Sequence, residues 1–429
     1  MIIYGIIALG ILVFVHELGH FLVAKFFKVG VVEFSIGFGK KIWKRKWGET
    51  TYAFGIVPLG GYVRMVGDDP RLLEPESAAA KGANPADFIE GVGGKKLSAD
   101  ADPKQLDAKL HDDLHDNKEE MSQEELDLLA DESKWFLKKG YWPKVAIVLA
   151  GPLFNIGFAL VTAFVVLFFY GKSDWEHLSD EPIIGAVTPF FPADKAGIKR
   201  LDLVKSLNGK DVRTWTQLAD TIAAAGEVDL TLMVERKDSS GSPLPLVQIT
   251  VMPTYETKDL TAFDDETPKE RRSMIGIQRY IPRTPVTLRT ALLEAPQQVW
   301  FLTKMTVIGL QKMVTGKIST KSISGPLGIL DLAGRSAEDG VDSYFNFLIF
   351  LSVSLAVFNL LPIPILDGGH LLFFTLGAIK GQPVSLRTQQ VASQIGMVAL
   401  LALMAFAFSM DVYRFAGSIG NYFMRYISG

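Results

Sequence analysis

Cysteine is absent from all 429 residues, which excludes disulfide bridges and thiolate metal sites together. Histidine occurs only six times, so any bound metal must draw its ligands from these few imidazoles and from Asp and Glu. An excess of positive charge is missing as well. With 44 Lys and Arg against 47 Asp and Glu, the net charge of -3 argues against a nucleic-acid partner. What the chain has instead is apolar length: 48% hydrophobic residues and a mean hydropathy of +0.22 are too high for soluble domains alone.

Four charge-poor stretches, residues 1–27, 143–171, 344–366 and 388–411, are long enough to cross a bilayer, which takes about 20 apolar residues. They predict a polytopic α-helical membrane protein with about four transmembrane helices. The first stretch lacks the basic start of a secretory signal, having no Lys or Arg before Lys25, and reads as a retained span. Orientation follows from Lys and Arg, which stay on the cytoplasmic side. Lys25, Lys28, Lys40, Lys41 and Lys44 follow the first span, and Lys134, Lys138, Lys139 and Lys144 lead into the second, so that side is inside. The second span exits into Asp174, Glu176, Asp180 and Glu181, and the third is entered from Glu338, Asp339 and Asp342, which places residues 172–342 outside.

Residues 28–66 alternate apolar and polar between glycines and Pro58, which predicts a membrane-associated β-region. Residues 67–140 form an acidic cytoplasmic insert. It holds His111-Asp-Asp-Leu-His115, a second histidine pair at metal-binding spacing, which reads as a solvated helix face because no apolar wall would exclude water there. Residues 182–254 combine short β-runs with a helix at Thr216–Ala225 and predict an extracytoplasmic α+β domain. Pro192-Ala-Asp-Lys-Ala-Gly-Ile198 followed by Asp202-Leu-Val-Lys-Ser-Leu-Asn-Gly-Lys-Asp-Val212 resembles a bacterial PDZ domain, with Arg200-Leu-Asp202 where a Pro-Gly-Asp turn is common. The strand Ile183, Ile184, Gly185, Ala186 and Val187 is the candidate edge for peptide docking. The alternative is a module without an open groove, acting as a spacer or steric filter. Residues 287–332 predict a membrane-adjacent amphipathic helical region.

The chemistry concentrates at His16-Glu-Leu-Gly-His20, inside the first span. On a helix the two imidazoles lie one turn apart on one face, the spacing that grips a zinc ion, with Glu17 placed as general base toward a water. Polar groups at membrane depth are costly and point to function. A catalytic zinc takes three protein ligands. Asp367, which closes the uncharged run ending at Leu366, lies at similar depth, and His370 competes with it three residues on.

At this point the chain resembles the site-2 proteases, and most closely their RseP-type bacterial branch. The likeness rests on the His-Glu-Leu-Gly-His motif, Pro58-Leu-Gly-Gly-Tyr-Val63, Gly151-Pro-Leu-Phe-Asn155, the PDZ-like domain, Ser324-Gly-Pro-Leu-Gly-Ile329, and Asn359 to His370. It implies a zinc-dependent intramembrane endopeptidase with one zinc per chain, held by His16, His20 and Asp367, and Glu17 as base. It also implies that Asn359 and Asn155 position substrate or organise the site. The β-region with Gly60 and Gly61 can offer a strand edge to an unwound substrate. The implied setting is the bacterial cytoplasmic (inner) membrane, with the zinc toward the cytoplasm. The implied partners are membrane-embedded protein substrates, the lipid bilayer and an upstream site-1 protease. Two rivals remain: an inactive scaffold or chaperone with a structural zinc, and a zinc transporter. Glu17 favours the protease over the scaffold, which needs no general base, and transport would favour further polar residues along several spans, of which the second and fourth offer few.

Overall fold

The computed structural model describes residues 2–68, 128, 131–174, 179–238, 240–255, 273–315 and 325–428. Most of the acidic insert, with His111 and His115, lies outside the described residues. The chain divides into two compact units: one of residues 9–155 and 358–397, the other of 1–8, 156–357 and 398–429.

The first unit is built on α1 (Ile2–Phe26), the strands β1 (Val31–Trp47) and β2 (Thr50–Met65), and the start of α2 (Tyr141–Tyr170). With 25 and 30 residues, α1 and α2 both exceed the length a bilayer core demands. Neither shows a polar face, as expected of helices surrounded by lipid and other apolar helices. They approach closely through small residues: a Cβ on Gly19 would stand 2.5 Å from the Ala150 carbonyl oxygen.

The two long strands fold back on themselves. Glu33 to Ile36 pair on one side with Arg64 to Gly61 and on the other with Thr51 to Phe54, while Trp43 to Trp47 pair with Phe54 to Thr50. The outer stretches of this sheet are therefore 43–47 and 61–65. Buried Glu33 is compensated by Lys41 at 3.2 Å and Arg64 at 3.3 Å, and Lys41 also donates to Ser35 Oγ at 2.6 Å and Tyr62 Oη at 2.8 Å. A polar knot of this kind fixes the register of a small sheet.

The second unit carries a β-rich module. Its elements are β3 (Lys172–Ser173), β4 (Ile184–Val187), α3 (Pro192–Ala196), β5 (Leu203–Leu207), β6 (Lys210–Asp211), α4 (Trp215–Ala224), β7 (Leu230–Glu235), β8 (Val247–Val251), β9 (Thr254–Tyr255), β10 (Ser273–Met274), β11 (Ile277–Arg279) and β12 (Arg283–Thr284). A four-stranded sheet runs β6-β5-β7-β8. Leu230, Leu232 and Val234 alternate inward along β7 and meet Leu218 and Ile222 of α4 in one core. Ile275 and Ile277 belong to the same core, so the module runs past residue 254, where the β-runs and helix of the sequence end. Leu201 sits at φ 68°, the left-handed conformation a glycine would supply in a Pro-Gly-Asp turn. The turn is thus kept without its usual residue, at a cost of about 1–2 kcal/mol.

Helices α5 (Leu288–Val314), α6 (Pro326–Asp339), α7 (Val341–Asn359), α8 (Asp367–Lys380) and α9 (Leu386–Ser428) complete the chain. In the second unit, Ala291, Ala295 and Val299 of α5 pack with Ala159, Ala163 and Val166 of α2 and Ile349 and Val353 of α7. The region 287–332 is thus divided among α5, α6 and a segment outside the described residues. Among the described residues, four helices are long and apolar enough to cross a membrane: Ile3–Phe26, Tyr141–Tyr170, Val341–Asn359 and Leu386–Val412. The third ends at Asn359 and not at Leu366 as hydropathy suggested. Pro362 and Pro364 lack the amide a continuing helix needs, so residues 360–366 leave the helix.

Candidate metal centre

His16 and His20 are one turn apart on α1, and Asp367 is the first residue of α8. All three belong to the first unit. Their ligand atoms converge: the two Nε2 atoms lie 3.2 Å apart, and Asp367 Oδ2 lies 3.2 Å from His16 Nε2 and 3.6 Å from His20 Nε2. Both imidazoles are buried, at 7% and 8% exposure. Among the described residues this is the one trio of such groups close enough to share an ion, and His370 is not part of it.

The surroundings decide what the trio is for. His20 Nδ1 lies 2.8 Å from the Ile147 carbonyl, which can only accept, so Nδ1 carries the proton and Nε2 presents its lone pair. His16 Nδ1 meets the amide of fully buried Asn155 at 3.1 Å. The two ends of an amide exchange by a half-turn; with Oδ1 toward the ring, His16 Nδ1–H donates to it and Nε2 is again a lone pair. Asp367 Oδ2 is buried and completes no hydrogen bond of good geometry despite its short distances to both rings. Three electron-rich atoms facing one another are repulsive without a cation between them. Bonds of 2.0–2.2 Å to a tetrahedral zinc put neighbouring ligand atoms about 3.3–3.5 Å apart, which the three separations bracket. The residues present therefore fit a zinc ion.

Close approach of backbone completes the pocket. A Cβ on Gly151 would lie 2.3 Å from His20 Nε2 and 2.7 Å from His16 Cε1, so α2 can pass the ligands only without a side chain. On the other side β2 passes Glu17: a Cβ on Gly61 would be 2.9 Å from Glu17 Cγ. Gly60, at φ 141°, holds a conformation that strongly favours glycine, against the Phe38 ring. Asn359 Nδ2 reaches to 3.4 Å from His16 Nε2, so its amide borders the space the three ligands share.

Residues 4–403 match peptidase family M50. The chain belongs to peptidase family M50, the site-2 proteases. As a family member it is a membrane metalloendopeptidase of the site-2 type. It is 32% identical to the regulator of sigma-W protease RasP of Bacillus subtilis, over 95% of this chain and 97% of that protein. Zinc metalloprotease RasP of Geobacillus kaustophilus is 30% identical, covering 96% and 98%. The regulator of sigma-E protease RseP of Salmonella typhimurium is also 30% identical, covering 95% and 97%.

The structure brings together His16, Glu17, His20, Asn155, Asn359, Asp367 and Gly61. The strand Ile183 to Val187 belongs to the other unit. That segment is paired along one side, and at Ile183 and Ile184 on the other as well. On one, Val187, Ala186 and Ile184 pair with Ile277, Gln278 and Arg279; on the other, Ile183 bridges Leu203 and Ile184 donates to the Asp202 carbonyl at 2.9 Å. Where the strand is already hydrogen-bonded it cannot add a peptide. The roles of the Ile147 carbonyl and of Gly151 escaped the sequence; only the glycine in Gly151-Pro-Leu-Phe-Asn155 hinted at a close approach.

Proposed function

We propose that this chain is a zinc-dependent intramembrane endopeptidase that cleaves transmembrane segments of single-span membrane proteins, such as anti-sigma factors or remnant signal peptides, in regulated intramembrane proteolysis. The observation that carries the reading is the convergence of His16 Nε2, His20 Nε2 and buried Asp367 Oδ2 beside Glu17. A bound zinc would supply Lewis acidity to water and to the scissile carbonyl.

The chain's own residues do the rest. Glu17 takes a proton from the attacking water and returns it to the leaving amine. Asn155 holds His16 in its ligating tautomer, and the Ile147 carbonyl does the same for His20. Asn359 donates toward the substrate backbone where it borders the site. A transmembrane helix hides its carbonyls in hydrogen bonds, so the substrate must be unwound. The outer stretch 61–65 of β2, which begins beside Glu17, offers an edge that holds it extended. Relatives named as regulators of sigma factors make a single-span regulatory protein the natural substrate class.

In this reading the protein resides in the bacterial cytoplasmic membrane with its zinc site toward the cytoplasm. The β-rich module, PDZ-like in its sequence, lies outside and screens substrates by size, admitting those trimmed by a site-1 protease. Purified protein should cleave a synthetic transmembrane peptide in a chelator-sensitive way. Glu17→Gln should cost about 10²–10⁴-fold in rate while zinc stays bound. Full cleavage by Glu17→Gln refutes the mechanism. Single cysteines at Gly48 and Gly241 should label from opposite sides of the membrane, and labelling from one side overturns the topology.

A further inference from the structure

Away from the metal centre, the first unit contains a cavity of about 450 Å³ between the start of α2, the C-terminal half of α8 and the start of α9. Its walls are mainly apolar, with Leu137, Phe373, Phe374 and Leu386 among them. Among the described residues one cation faces it, Lys144. Its ammonium makes a single long hydrogen bond, 3.5 Å to the Leu137 carbonyl, and stands 5.2 Å from the centre of the Phe374 ring. Among the described residues no carboxylate pairs with it.

The position of the cavity says what could reach it. Tyr141 and Leu386, both in its wall, are the first residues of two candidate membrane spans, so the cavity lies where these spans begin, the level expected of lipid headgroups if both cross the bilayer. Trp142, 75% exposed beside it, suits that interface. Loop 381–385 closes the remaining side, held by Gln389 Nε2 donating to the Val384 carbonyl at 2.7 Å and by Ser385 Oγ accepting from Thr388 N at 3.3 Å. A half-buried ammonium with no carboxylate partner among the described residues, set over an aromatic ring and backed by an apolar wall, complements a molecule with an anionic head and a hydrocarbon tail.

We infer that this cavity binds one acidic phospholipid, its phosphate on Lys144 and an acyl chain along Phe373, Phe374 and Leu386. A zwitterionic lipid would bring its own cation to the same place and so gain less from the lysine. The walls Phe373 and Phe374 lie on the helix that begins with Asp367, so a seated lipid would press on the helix that presents the carboxylate ligand.

The test is native mass spectrometry of the full zinc-loaded chain in detergent, titrated with palmitoyl-oleoyl phosphatidylglycerol or with the matching phosphatidylcholine. One phosphatidylglycerol should be retained in preference to phosphatidylcholine. Lys144→Gln should weaken that binding about fivefold, as expected for one lysine at a lipid surface, and Lys144→Arg should restore it. Ala378→Trp, at an exposed wall position, fills the cavity and should remove the preference even if Lys144→Gln fails to fold. Equal retention of the two lipids overturns the inference, as does unchanged phosphatidylglycerol binding in both variants. Displacement of the lipid by inorganic phosphate alone also overturns it, by showing a site for the free anion.

Discussion

Asp367 and Asp411 are both carboxylates held out of water by apolar helices, and their surroundings are opposite. Asp411, on α9 in the second unit, is 1% exposed, and its two oxygens accept from the backbone amides of Gly325 at 3.0 Å and Gly328 at 2.9 Å. Those amides open α6, where the helix leaves its first N–H groups without partners and favours a negative charge. Asp202, in the β-rich module, follows the same pattern, taking Lys199 N at 2.9 Å and two bonds from Arg236 at 2.8 and 3.0 Å. Asp367 Oδ2 instead faces two imidazole lone pairs. A carboxylate that serves architecture is met by donors. One placed to hold a metal is met by other acceptors, and the mismatch is its signature.

The contrast can be tested by exchanging each acid for its amide. Asp367→Asn should weaken zinc binding by at least about a hundredfold and cleavage with it, read by metal analysis after dialysis. The same change should leave the metal-free protein no less stable, because it removes a buried acceptor that lacks a donor. Lower stability of metal-free Asp367→Asn would erase the distinction. Asp411→Asn should do the reverse, lowering stability by about 1–3 kcal/mol in a fixed detergent while zinc content stays constant. Loss of zinc from Asp411→Asn would tie it to the site after all. The smallest effect belongs to the second histidine pair. His111→Ala with His115→Ala should leave one zinc per chain, and a drop in stoichiometry would show that the insert holds metal.

Much of this was legible because a few residues break strong local patterns. His16, Glu17 and His20 interrupt an apolar run at helical spacing, and Asp367 ends another; polarity at membrane depth is conspicuous in a string of letters. Asn155 and Asn359 carried no such pattern and were reached only through the likeness to a family. The Ile147 carbonyl is backbone, which no residue type announces. Hydropathy ran the third span to Leu366 because it counts apolar side chains and not missing amides, although Pro362 and Pro364 held that information. The strand Ile183 to Val187 shows the other limit. Alternation locates a strand, but whether its edges are free depends on Leu203 and on residues 277–279, far away in sequence. At Leu201 a glycine-less turn still forms, because Asp202 and Arg236 hold it from the far side.

The candidate ligands come from opposite ends of the chain, two from α1 and one from the start of α8. An ion on them closes a loop of about 350 residues and acts as a cross-link as well as a reagent. Membrane insertion begins at the N-terminus, so the first two ligands reach the bilayer long before the third has been synthesised. Until then His16 and His20 stand in an apolar surround without the third member of their group. Metal capture by this group would then be a final assembly step, one that fastens the start of α8 to the first helix. Cells short of the ion would accumulate full-length chains whose two ends are joined by packing alone, more open to proteolysis than their loaded counterparts.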